Sequence, residues 1–131
     1  PVNSEEKICL VSQYRHAIDQ DIFEIPAGLA DAGEDPSETA LRELREEIGY
    51  TASSITKISA FFSSPGYSTE KIILYYAHNL SASKLPEDDD EYITVHWFTC
   101  HEIEDMISSG EIEDGKTIMA YYWYKSEKSK K

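Results

Sequence analysis

The run from Asp35 to Gly49 constrains the chain more than any other segment, because both ends of a helix and one of its faces are written into it. Asp35 can accept from the free amides of a first turn, and Pro36 suits the first helical position. Glu38 lies where the helix dipole favours an acid, and Gly49 is a natural stop. The spacing predicts a helix over 36–48. At ~100° per residue, Glu43, Glu46 and Glu47 share one face, while Ala40, Leu41, Leu44 and Ile48 fall on the flank that should meet a core.

Carboxylates three and four residues apart are neighbours and repel. Glu38, Arg42 and Arg45 offset part of this through i,i+3 and i,i+4 pairing, which leaves Glu43 and Glu47 with the least basic compensation in the local sequence. Two such carboxylates one turn apart suit a hard divalent cation, since Mg²⁺ takes oxygen ligands, water and substrate phosphate. The competing reading is a plain solvated acidic face.

The chain has 131 residues, the size of one domain, expected over 1–125 with a polar, frayed tail over 126–131. Twelve basic residues against 25 acidic ones give a net charge of −13. That excludes a nucleic-acid duplex or an anionic membrane surface as partner, because both need clustered basic residues. A phosphate compound remains open to such a chain if a cation mediates. No run approaches a membrane span, no secretion signal opens the chain, and Cys9 and Cys100 have no motif spacing. Reduced thiols in a cytoplasmic protein are expected. The abrupt start at Pro1 is expected to reflect a processed or truncated N-terminus.

Strands are expected over 7–14, 22–27, 55–62, 71–78 and 92–98, from apolar or alternating β-prone residues between turn signals. Short helices are expected over 101–109 and 117–125, the second with an apolar stripe of Ile118, Tyr121, Tyr122 and Lys125. Strands and helices mix, so the class is α/β or α+β.

Gly28, five residues, Glu34, seven residues, then Arg42-Glu43-Leu44-Arg45-Glu46-Glu47-Ile48-Gly49-Tyr50 resembles the Nudix box. Every fixed polar and glycine position is matched, and Tyr50 replaces the usual aliphatic residue. The box covers 23 of the 131 residues. The resemblance implies an α/β fold: the Nudix α/β/α sandwich, with a mixed sheet between helices and a loop–helix–loop catalytic motif. It also implies Mg²⁺ or Mn²⁺ and hydrolysis of a diphosphate linked to another moiety. Glu43 and Glu47 would be the principal metal ligands, with Glu46 close by and the Ala27 carbonyl contributing. Arg42 would orient Glu43 or lock the loop, and Glu34 would be structural or an outer ligand.

Three features outside the box resemble the ADP-ribose pyrophosphatase subgroup. The first is Pro65, sixteen residues after Gly49, with Gly66 beside it and Glu70 trailing. An ordinary Pro-Gly turn is the plainer reading. The second is Gln13-Tyr14-Arg15 followed by Phe23-Glu24-Ile25-Pro26-Ala27-Gly28. Arg15 would touch a phosphate, since its fork matches phosphate oxygens, and Glu24 would contact an adenine amino group. A surface salt bridge and a solvated strand residue are the plainer readings. The third is the acidic run over 87–91, from which Glu91 would serve as general base, with Asp89 in reserve and Glu70 as rival.

The resemblance thus implies hydrolysis of ADP-ribose, or a related nucleoside diphosphate sugar, to AMP and ribose 5-phosphate. The alternatives are another nucleoside diphosphate derivative as substrate, or a non-catalytic nucleotide-binding module. Family habit implies a homodimer, although the chain lacks the residues for the subgroup's extra N-terminal sheet.

Overall fold

A computed structural model describes residues 1–86 and 92–131. The element order is β1 (Ile8–Arg15), β2 (Gln20–Glu24), α1 (Pro36–Glu47), β3 (Tyr50–Phe62), β4 (Lys71–Ala82), β5 (Thr94–Phe98), α2 (Cys100–Ser108) and α3 (Gly115–Ser129).

β1 is the organising strand. It pairs antiparallel with β2 on one side and with β5 on the other, Val11 lying opposite both Glu24 and Val95. Successive side chains of a strand point to opposite faces, and a strand covered on both faces reads as a continuous apolar run. Ile8 and Leu10 accordingly enter one core with Ile103, Met106, Ile112, Tyr121 and Tyr124 of the α2–α3 side. Cys9 and Val11 enter a second core with Leu44 and Ile48 of the α1 side and with Ala52 and Ala77. The three-stranded sheet thus lies between helices, which is the α/β layering expected. The ladders among the described residues are antiparallel and form two sheets, β2-β1-β5 and the β3-β4 hairpin, rather than a single mixed one.

α1 begins and ends where its sequence says. Asp35 accepts from the Ser37 amide, Pro36 occupies the first turn, and Gly49 takes the left-handed conformation (φ 75°) that a side chain disfavours. The helix end is fastened to β4, because Ser83 donates its amide to the Gly49 carbonyl and Arg45 Nε donates to Ser83 Oγ at 2.9 Å.

Several expectations need correction. β3 starts at Tyr50, five residues before the predicted strand, and β4 runs on to Ala82. α3 buries Thr117, Tyr121 and Tyr124; of the predicted stripe, Tyr121 is buried and Ile118 packs against the core, but Tyr122 is half exposed. Lys125 pairs at the surface with Glu104. The segment predicted as a frayed tail from Ser126 continues α3 to Ser129, and Lys128 reaches Glu6 at 2.6 Å. Cys9 and Cys100 are free thiols; burial first, opposed by the N-terminal ammonium and aided by the Glu47 charge, pushes the Cys9 thiol up to about 12. Among the described residues no helix is long and apolar enough to cross a membrane.

Candidate active site

The end of β2, the loop that follows it and the acidic face of α1 close on one another. Glu47, on the last turn of α1, is buried, and its carboxylate accepts the Ala27 amide at 3.1 Å. Gly28 is pressed against Glu43: a Cβ built there would fall inside the Glu43 carboxylate. No side chain but hydrogen fits between that backbone and that acid.

Arg42 clamps the loop. Its Nε and Nη2 grip Glu34 at 2.9 and 3.0 Å, a bidentate pair, and Nη2 also donates to the Leu29 carbonyl at 2.9 Å. Nη1 reaches Glu43 at 3.0 Å and Glu46 at 3.0 Å. The sequence left Glu43 poorly compensated; in the structure the adjacent guanidinium turns to it. Arg42 serves Glu34, Glu43 and Glu46 together, rather than the i,i+4 partner Glu38. Hydrogen bonds from Arg42 first, then from Thr39 and the Asp31 amide, hold the Glu34 carboxyl down at about 2. Replacing Arg42 with Lys keeps one charge and loses the fork. The expected result is a loop over 29–34 that limited proteolysis cuts faster than in the parent chain, with kcat/KM down about tenfold, the scale of one lost charge-assisted bond.

Beside this face lies a cavity of about 800 Å³. Its wall includes Gln13, Arg15, the Ala27–Asp31 loop, Arg42, Glu43, Glu47, Glu70 and Lys116. Of the residues singled out from sequence, Arg15, Ala27, Arg42, Glu43, Glu47 and Glu70 are therefore gathered around one space. Glu46 is adjacent through Arg42 without lining it, and Pro65 and Gly66 sit in an exposed turn at the tip of the β3–β4 hairpin, away from the lining. Glu91 and Asp89 lie outside the described residues.

Glu24 is not the solvated strand residue of the plainer reading. Its side chain is 4% exposed and both oxygens are engaged. Arg15 binds it through Nε at 2.7 Å and Nη2 at 3.1 Å, and Lys116 Nζ through a 2.5 Å contact. Lys116 also meets Asp114 at 3.0 Å. Asp114 in turn caps α3 and accepts the Thr117 hydroxyl, which accepts the Ile25 amide at 2.9 Å. Lys116 and Thr117 were missed in sequence. The Asp-Gly-Lys-Thr start of α3 carried a capping signal only, and nothing local ties it to β2, 92 residues earlier.

Burial alone would raise the Glu24 carboxyl, but bonds from Arg15 and Lys116 outweigh it and set it below its ordinary 4.5. A carboxyl with a depressed folded value stabilises the fold above the unfolded value and loses that contribution as pH falls through the folded one. Melting temperature should therefore drop steeply below pH 4.5 in the parent chain and less steeply in Glu24→Gln; parallel curves would count against this pairing.

The donor set suits a hard cation. Glu43, Glu46 and Glu47 offer carboxylates and Ala27 a backbone oxygen beside Glu47, while three acids of the box, Glu34, Glu43 and Glu46, share one guanidinium. Among the described residues, no three Asp, Glu, His or Cys side chains converge on one point to cage an ion unaided. Mg²⁺ does not require such a cage, since it keeps waters and completes its shell with substrate phosphate.

A family model for the NUDIX domain matches residues 1–121. An ADP-ribose pyrophosphatase of Bacillus subtilis is 43% identical over 121 residues, covering 91% of this chain and 65% of that protein. A methanol dehydrogenase activator of Bacillus methanolicus is 38% identical over 132 residues, covering 99% of this chain and 71% of that protein. The chain thus spans about two thirds of the length of these curated relatives. Among solved structures, one described as an ADP compounds hydrolase superposes with a TM-score of 0.87 at 22% identity, over 95% of this chain and 68% of that one, a likeness of fold.

Proposed function

The chain belongs to the Nudix family, and on that premise we propose that it hydrolyses the diphosphate of ADP-ribose, or of a related nucleoside diphosphate sugar, with Mg²⁺ or Mn²⁺. The observation that carries the reading is the convergence of Glu43, Glu47, Arg15 and Glu70 on one cavity roomy enough for a nucleotide. The 43% identity to an ADP-ribose pyrophosphatase supports the choice of substrate.

Glu43 and Glu47 would hold the cation, with Glu46 and the Ala27 carbonyl alongside. When bound, the cation would offset charge on the diphosphate oxygens and make a coordinated water more acidic. Arg15, on the cavity wall, would offer a phosphate the guanidinium N–H groups that Glu24 leaves over. Arg42 keeps Glu43 and Glu46 in register with the loop. A carboxylate takes the proton from the attacking water; Glu91 is the first candidate by its place before β5, and Glu70 is the described carboxylate on the cavity wall. Water then adds across the P–O–P bridge and yields AMP and ribose 5-phosphate.

Incubation with ADP-ribose and Mg²⁺ in ¹⁸O-labelled water tests this. The expected result is Mg²⁺-dependent release of both products, with one ¹⁸O in the phosphate that was attacked. Parallel assays with GDP-mannose and nucleoside triphosphates decide the leaving group. A chain that hydrolyses none of these has another function.

A further inference from the structure

We infer that Lys116 is a positioning residue for the substrate diphosphate, acting through Glu24 on Arg15; this rests on the pyrophosphatase reading. Arg15, Glu24, Lys116 and Asp114 form a chain of alternating charge: Arg15 to Glu24 at 2.7 Å, Glu24 to Lys116 at 2.5 Å, Lys116 to Asp114 at 3.0 Å. Exposure rises sharply at one end only. The side chains of Glu24, Lys116 and Asp114 are 4%, 13% and 16% exposed, whereas that of Arg15 is 44% exposed.

The ammonium of Lys116 is spent on two carboxylates, so it has little left for a ligand. Glu24, with a bidentate arginine on both oxygens and a lysine on one, has little left for an adenine. Arg15 differs. Glu24 takes Nε–H and one Nη2–H, and a guanidinium has five donors, so three N–H groups are left over by Glu24 on a side chain that lines the cavity. A long side chain that must meet a diphosphate loses rotamer freedom on binding. Fixing it beforehand removes that cost, and Glu24 can fix it only if Glu24 is itself held. The β2 backbone holds one end of Glu24. Lys116, brought in on the first turn of α3 by the Asp114 cap, holds the carboxylate end.

The test is a double-mutant cycle read by equilibrium binding and by kinetics. ADP-ribose is titrated calorimetrically into the full chain with Ca²⁺ in place of Mg²⁺, and KM and kcat are then measured with Mg²⁺. Lys116→Met should weaken ADP-ribose binding and raise KM by about tenfold, the scale of one charge-assisted contact, with kcat within about twofold. Lys116→Arg should recover most of the loss. In an Arg15→Met background, Lys116→Met should add less than about twofold, because non-additivity marks residues acting on one another. Full additivity of the two losses would mean that Lys116 meets the ligand itself and would overturn the inference. So would unchanged binding and KM in Lys116→Met, whatever its melting temperature. A parent chain that binds ADP-ribose without hydrolysing it would sink the pyrophosphatase reading and leave the positioning result legible in the dissociation constants. One that does not bind ADP-ribose overturns both.

Discussion

Glu47→Gln should leave the chain folded and lower kcat by about three orders of magnitude, the range seen when a preorganised charge at a reacting centre is removed. The fold survives because glutamine keeps an oxygen where Glu47 accepts the Ala27 amide. What it loses is the negative charge, and with it, on the proposed reading, the pull on a divalent cation at the last turn of α1. Mn²⁺ binding, followed by its paramagnetic signal, should weaken in step with turnover, while far-ultraviolet dichroism and melting temperature stay close to those of the parent. Full Mg²⁺-dependent turnover in this variant would remove Glu47 from the metal site.

Gly28→Ala should separate stability from activity in the same way, by one methyl group. Gly28 is not among the glycines with positive φ, so alanine meets no backbone strain there. The added Cβ meets the Glu43 carboxylate, the far end of a flexible side chain that can swing aside at small energetic cost. Swinging aside takes Glu43 away from the proposed cation position. Melting temperature should shift by only a few degrees, as for a substitution that unmakes no core packing. Metal affinity should fall about 10- to 100-fold, as when a ligand's orientation is lost, and kcat/KM with it. A variant that melts far below the parent with Mn²⁺ affinity intact would show that Gly28 serves the loop's folding instead.

The parts of this molecule written locally were legible in the sequence. Asp35, Pro36 and Gly49 state the ends of α1 within one turn of chain, and the box spacing sets Glu43 and Glu47 on one face. The continuous apolar run in β1 reads as a strand covered on both sides. What depended on distant partners was not legible. Lys116 finds Glu24 across 92 residues, and no spacing rule reports that. Thr117 is polar and lies outside the apolar stripe of α3, yet it is almost wholly buried because its hydroxyl gives to Asp114 and takes from Ile25. Tyr122 counted as core, yet aromatic residues line more than one flank of α3 and the helix's rotation is set by packing. The early start of β3 lies in Tyr50–Ser54, whose small hydroxyl residues carry little alternation and pair with β4 nonetheless.

The hydroxyl of Thr117 has a further meaning. One oxygen atom joins the cap of the C-terminal helix to the backbone two residues ahead of Ala27. With the Lys116–Glu24 pair beside it, this hydroxyl fastens the start of α3 to the entrance of the acidic loop. A change that shifts the first turn of α3 would therefore be passed to the backbone that leads into the loop carrying Ala27 and Gly28.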